Sequence, residues 1–306
     1  MSAAESSAAE RGGQRRFNGL FPNSLLHHRQ PKWWQEVAII GFCYWIYSEV
    51  RNLVPEQASI AARHGRGVQH LQDALHLNFE RSVNRFVAEH EPEAQVMNYY
   101  YATLHFVVTI GCLVWLFRVH PRIYRGARTI LFATSLIALA GFYLYPLAPP
   151  RLLPQYGYVD TVLKFHTWGS LADPNVAQHS NQYAAMPSLH IGWALWCGVS
   201  IYLCARRLWV RVLGLIYPVA TLLVIIGTAN HFLIDAVAGL AVFLLGGLVQ
   251  YLFSGRSAFT VAPIRRHLAG EPHPERAAVR IQPNPQPDPP PEDQPSTQHS
   301  SQSAGS

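Results

Sequence analysis

The chain has 306 residues, of which 49% are hydrophobic and only 14% charged, with a formal net charge of +6. Soluble globular domains carry roughly 25% charged residues, so this balance, with a mean hydropathy of +0.06, argues for a membrane protein. A 12% aromatic content, four cysteines and the lack of an internal repeat exclude general disorder, collagen, a coiled coil and a disulfide-stapled secreted module. Cys43, Cys112, Cys197 and Cys204 lie in apolar stretches without zinc or redox spacing and read as small core residues.

In chain order, residues 1–32 read as a disordered cytoplasmic arm. Six apolar stretches follow at 35–53, 97–118, 128–148, 187–205, 208–229 and 232–254, each close to the roughly 20 residues a helix needs to cross a bilayer. The expected fold class is all-α: a polytopic membrane protein whose six transmembrane helices form a bundle over 33–255. The first stretch lacks a small-residue cleavage site and reads as a retained anchor. Between the first two, Val68, Leu71, Leu75, Phe79, Val83 and Phe86 recur at three- and four-residue steps, which predicts an outer amphipathic helix. It would lie on the outer leaflet or cover the bundle. Trp33, Trp34, Tyr99, Tyr100 and Tyr101 fit an interfacial aromatic belt, and His105 reads as a packed, hydrogen-bonded histidine. Beyond 256 the composition shifts to Pro, Gln, Ser and Glu, and 256–306 reads as a disordered cytoplasmic tail.

Arginine and lysine predict sidedness. Arg11, Arg15, Arg16, Arg29 and Lys32 precede the first span, and Arg118, Arg122, Arg125 and Arg128 separate the second and third. Arg206, Arg207 and Arg211 separate the fourth and fifth, while Arg256, Arg265 and Arg266 follow the sixth. If all six cross, these clusters share one side, and the positive-inside tendency makes it cytoplasmic, with both termini. Basic residues so placed meet anionic lipid heads, so membrane lipids rather than nucleic acid are the expected partners.

Three polar stretches sit at the opposite, extracytoplasmic ends of these spans: Tyr145-Pro-Leu-Ala-Pro-Pro-Arg151, Met186-Pro-Ser-Leu-His190 and Asn230-His-Phe-Leu-Ile-Asp235. His190 and His231 are 41 positions apart, one helix inward and one back, so both return to the same membrane face. His231 and Asp235, four apart, share a helix face within hydrogen-bond reach, and a carboxylate so placed fixes the imidazole tautomer and prepares a nucleophile. Pro187 suits a first helical turn, leaving N–H groups near Ser188 for an anion, and Arg151 adds a forked cationic donor. Ionisable residues near membrane depth are costly and tend to mark function.

On these motifs, residues 140–240 resemble the integral-membrane type-2 phosphatidic acid phosphatase superfamily, particularly its inositol phosphorylceramide synthase-like branch of lipid phosphotransferases. The resemblance implies that His190 is the general acid, His231 the phosphate-accepting nucleophile and Asp235 its orienting partner. It also implies that Arg151, Ser188 and Asn230 bind the phosphoryl group. The pattern departs from the phosphatase branch. Lys-x6-Arg-Pro is missing, Leu189 replaces a Gly, and Val224 and Ile225 stand where Ser-Arg would fall. That loss of cations favours the transferase branch over a simple phosphatase.

The expected activity is therefore a lipid phosphotransferase or phosphatase in the cell membrane, working through a phosphohistidine and needing no cofactor or metal. The acceptor would be a lipid or polyol hydroxyl, for which the loop from Leu152 to Ala184 offers Gln178, His179, Asn181, Gln182 and Tyr183. Two other readings stay open. His190, His231 and Asp235 could ligate a hydrolytic metal, or the chain could be an inactive scaffold or transporter.

Overall fold

In the computed structural model, the structure describes residues 32–53, 58–167 and 182–259. Most of the predicted arm and tail, and Gln178, His179 and Asn181, lie outside them. The described residues form helices with one isolated β-bridge, Leu147 to Ala184, and no strand.

Helix α1 (Trp33–Leu53) leads to α2 (Ala58–Ala74) and α3 (Phe79–Glu89). Helix α4 (Glu91–Tyr99) runs through a π-turn (Tyr100–Leu104) into α5 (His105–Val119), followed by α6 (Pro121–Leu144). After two 3₁₀ turns and the short α7 (Thr161–Lys164) come α8 (Leu189–Cys204), α9 (Leu208–Gly227) and α10 (Leu233–Ser254). Boundaries follow local chemistry. Pro92 and Pro121 sit in first turns, where their missing N–H costs nothing, and Gly255 closes α10 in the left-handed conformation at φ 68°.

Four helical stretches are long and apolar enough to cross a membrane: Glu91–Val119, Pro121–Leu144, Leu208–Gly227 and Leu233–Ser254. They match four of the six expected spans. The fourth expected span is the apolar but shorter α8, whose 16 residues cover about 24 Å. The first is helical as α1 but is not among the four; it carries Glu36 and Glu49. Glu36 is turned inward, where its Oε2 accepts from Tyr124 Oη at 2.8 Å and from Arg128 Nη1. The lateral surfaces of α5, α6, α9 and α10 expose Val107, Ile110, Leu136, Leu213 and Leu244, an apolar coat suited to lipid. This is an integral membrane protein.

The predicted outer helix is corrected in one respect. It is broken in two at His76, a non-glycine residue at φ 59°, which separates α2 from α3. Its apolar stripe is divided between the two expected placements, with Val68 buried in the core and Val83 packed against it while the other members face outward. Leu71 is 49% exposed and Phe86 58%, whereas Gln69, Gln72, Glu80 and Asn84 are buried against the bundle. Buried polar groups are tolerable because each is hydrogen-bonded: Asn84, for example, donates to Gly227 O and Val159 O and accepts from Val159 N.

Inside, α8 lies along α9 and α10 along α6. Lipid tails are as apolar as side chains, so close backbone approach through small residues holds such helices together. A Cβ on Gly198 would stand 2.6 Å from Gly214 O, and one on Gly239 2.5 Å from Ser188 O. Trp196 fills the core between α8 and α6, its indole N–H donating to Ala127 O at 2.7 Å. All four cysteines are unbridged; Cys112, Cys197 and Cys204 are buried.

Gly239→Ala forces α10 away from the start of α8 and should cost about 1–3 kcal/mol. Gly247→Ala meets open space and should be neutral or stabilising by roughly 0.5–1 kcal/mol. Thermal unfolding of the two variants in detergent micelles checks the contrast.

Candidate functional site

The three polar stretches meet at one end of the bundle, joined mainly through their backbones. Arg151 N–H donates to Ala229 O at 3.0 Å, and Ser188 N–H donates to Asp235 O at 3.0 Å. The nucleophile candidate closes the set: His231 Nδ1 lies 2.9 Å from Ala185 O. Leu147 N–H donates to Tyr183 O at 2.8 Å, holding the stretch before Arg151 against the one before His190.

His231 is 4% exposed. Its Nδ1 faces the Ala185 carbonyl at 2.9 Å and Asp235 Oδ2 at 3.5 Å, both acceptors, which assigns the proton to Nδ1. The other nitrogen, Nε2, is therefore a lone-pair base, and it is buried without a hydrogen-bond partner. Asp235 thus shares the orienting role with a backbone carbonyl, and its Oδ2 also accepts Phe232 N–H at 2.9 Å. The loop delivering His231 is strained, with Ala229 at φ 52°, a conformation that costs a non-glycine residue about 1–3 kcal/mol.

His190 stands on the first turn of α8, its ring centroid 5.6 Å from that of His231. Ser188 stands at the N-cap position of the same helix without capping it, for its Oγ is buried and has no hydrogen-bond partner. Arg151 is held on two sides, Nε donating to Asn230 Oδ1 at 2.9 Å and Nη1 to Asp160 Oδ2 at 3.0 Å. Asn230, expected at the phosphate, first serves Arg151, while its Nδ2 donates to Thr228 Oγ1 at 2.8 Å.

The structure adds residues that the sequence reading left elsewhere. Tyr101, assigned to an aromatic belt, turns inward and stacks on His190 at 4.1 Å between centroids. His105, read as packed and hydrogen-bonded, is both, yet its ring centre lies only 4.2 Å from that of His190. Both follow from the π-turn. Where i→i+5 bonding returns to i→i+4, the ladder passes over one carbonyl. Tyr101 O, in that turn, lies 3.0 Å from His105 Nδ1 and 3.3 Å from His190 Nε2. No spacing rule in the sequence announces such a turn.

Among the described residues, no three His, Cys, Asp or Glu side chains are grouped so as to hold a metal ion. The trio of His190, His231 and Asp235 is therefore not assembled as a ligand set.

Residues 66–249, more than half of the chain, match the PAP2 superfamily, and the chain belongs to that superfamily. It is similar to the phosphoinositol dihydroceramide synthase of Bacteroides thetaiotaomicron, with 26% identity over 146 residues. That alignment covers 43% of this chain and 47% of the relative, about half of its length. No solved structure matches.

Arg151→Lys keeps the charge but cannot serve Asn230 and Asp160 together, and should cost about 1–2 kcal/mol. Arg151→Gln, which leaves Asp160 without a counter-charge, should cost more. The order of unfolding temperatures in micelles checks this.

Proposed function

We propose that the protein is a lipid phosphotransferase that moves a phosphoryl-bearing head group from a phosphodiester lipid to a hydroxyl acceptor through a phosphohistidine on His231. The observation that carries the reading is the buried, unpartnered Nε2 of a histidine whose other nitrogen faces two acceptors. A neutral imidazole so held presents its lone pair to phosphorus.

In the first step Nε2 of His231 attacks phosphorus and the bond to the leaving oxygen breaks, while protonated His190 gives that oxygen its proton. In the second, the acceptor hydroxyl attacks the phosphohistidine, its proton passes to His190, and the P–N bond breaks. Arg151 and the first turn of α8 at Ser188 stabilise the equatorial oxygens. No cofactor or metal enters this scheme.

The charge balance favours a diester. Arg151 is already paired with Asp160, and the cations of the phosphatase pattern are missing. A diester carries about one negative charge and a monoester nearly two, so the weaker cation set suits the former. The bacterial relative's name supports phosphoinositol as the transferred group and a ceramide-type lipid as the acceptor. The arginine clusters of the intervening loops support an extracytoplasmic site in the cell membrane, with the membrane domain 33–255 between a cytoplasmic arm and tail.

The test uses purified protein in mixed micelles with a phosphodiester lipid and a lipid phosphate, each labelled at phosphorus, with and without polyol and lipid-hydroxyl acceptors. Label that moves only to an acceptor identifies the transferase and its acceptor class. Label released to water regardless of acceptor, as head-group phosphate from the diester or free phosphate from the lipid phosphate, identifies hydrolysis. Turnover by His231→Ala equal to wild type overturns the phosphohistidine. His190→Ala should slow poor leaving groups far more than activated ones. Asp235→Asn should lower kcat by about 10²-fold, less than the ~10⁴ of a triad whose carboxylate alone sets the tautomer, because Ala185 O still holds Nδ1.

A further inference from the structure

Helix α10 begins two residues after His231, and its first backbone donors are met largely from other helices. Phe232 N–H donates to Asp235 Oδ2 at 2.9 Å, Leu233 N–H to Glu80 Oε1 at 2.5 Å and Ile234 N–H to Gln72 Oε1 at 3.3 Å. Gln72 Nε2 in turn donates to the second Glu80 oxygen at 3.0 Å. Phe232, in the N-cap position, has no side-chain acceptor of its own. Gln72 and Glu80, both 1% exposed, supply the cap from α2 and α3.

We propose that Glu80, acting as an anion through Leu233 and Gln72, is a positioning residue that holds His231 and Asp235 in their reactive geometry. The inference rests on the phosphohistidine reading above.

The network has two arrangements. An ionised Glu80 accepts at both oxygens, leaving the Gln72 oxygen for Ile234 N–H. A proton on Oε2 would confront Gln72 Nε2–H, so the amide must turn its oxygen toward Glu80 and away from Ile234. The charged and titratable groups around it are few. Asp235 acts on it from α10 and Tyr158 from the loop before α7; beyond Tyr158, Arg81 lies over its ring at 5.9 Å and stands 4.0 Å from Asp73. Burial pushes the Glu80 carboxyl up to about 7 against the pull of its bonds from Gln72 and Leu233, and the Asp235 charge adds to the rise. The anion is therefore present above pH 7 and is lost as pH falls through that value.

The experiment measures kcat/KM against pH, from 5.5 to 8.5, for wild type and Glu80→Gln on the same phosphodiester lipid in mixed micelles. Glu80→Gln places an amide where the acid's hydroxyl would be, so it stays in the protonated arrangement. The expected result is a loss of roughly tenfold or more at pH 8 that closes below pH 6, where the two profiles converge. A deficit equal at all pH values, as a merely structural role would produce, overturns the proposal, as does no deficit. If Glu80→Gln fails to fold, the wild-type profile decides. It must fall more steeply between pH 8 and 6 than ionisation of one histidine allows, and a single-ionisation profile overturns the proposal. Failure of the functional reading looks different: wild-type turnover is absent or survives His231→Ala, and the inference falls with it.

Discussion

The hydrogen bond from Ser188 N–H to the Asp235 carbonyl, 3.0 Å long, joins the start of one apolar helix to the first turn of another. Both residues are fully buried, and a buried backbone group that loses its partner has no water to replace it, so this bond and its neighbours are obligatory. Arg151 N–H on Ala229 O and His231 Nδ1 on Ala185 O extend the same logic to the other two segments. The site is thus a by-product of satisfying helix ends. Segments that must cap one another bring His231, His190 and Arg151 to one end of the bundle.

Close helix approach makes that junction possible. Gly239 lets the backbone of α10 lie against Ser188 O, and Gly198 and Gly214 do the same for α8 and α9. Since apolar side chains gain little by leaving lipid tails for one another, tight backbone contact and polar ties such as Glu36 to Tyr124 and Arg128 supply the specificity. The π-turn of the α4–α5 helix is a second device, turning a carbonyl toward two histidine rings instead of into its own ladder.

Electrostatically the site is sparing. Its chief cation, Arg151, is shared with Asp160 and Asn230, which fixes the guanidinium plane and reduces its net pull on a multiply charged ligand. The loop helices α2 and α3 work in the same spirit, turning Gln69, Gln72, Glu80 and Asn84 inward. Part of their apolar side, Leu71, Leu75, Phe79 and Phe86, stays exposed, while Val68 and Val87 join the buried side.

Much of this was legible in the residues. Helical spacing paired His231 with Asp235, and the two do meet at 3.5 Å, but His231 lies ahead of α10 and reaches the carboxylate from the preceding turn rather than from a shared helix face. One helix inward and one back between His190 and His231 brought both to one end of the bundle, because helix rise is a constant. Apolar runs likewise marked the four longest spans. Sequence could not tell which face of α2 and α3 is buried, since an amphipathic pattern reports polarity and not the polarity of what lies opposite. Nor could it show that Ala185 O approaches His231 more closely than Asp235 does, that Tyr101 and His105 reach His190, or that Gln72 and Glu80 cap α10. Local periodicity is set by the chain's own geometry and is written in it. Which distant group meets an orphaned N–H or carbonyl is decided only when the helices pack, because those partners lie as many as 162 positions apart.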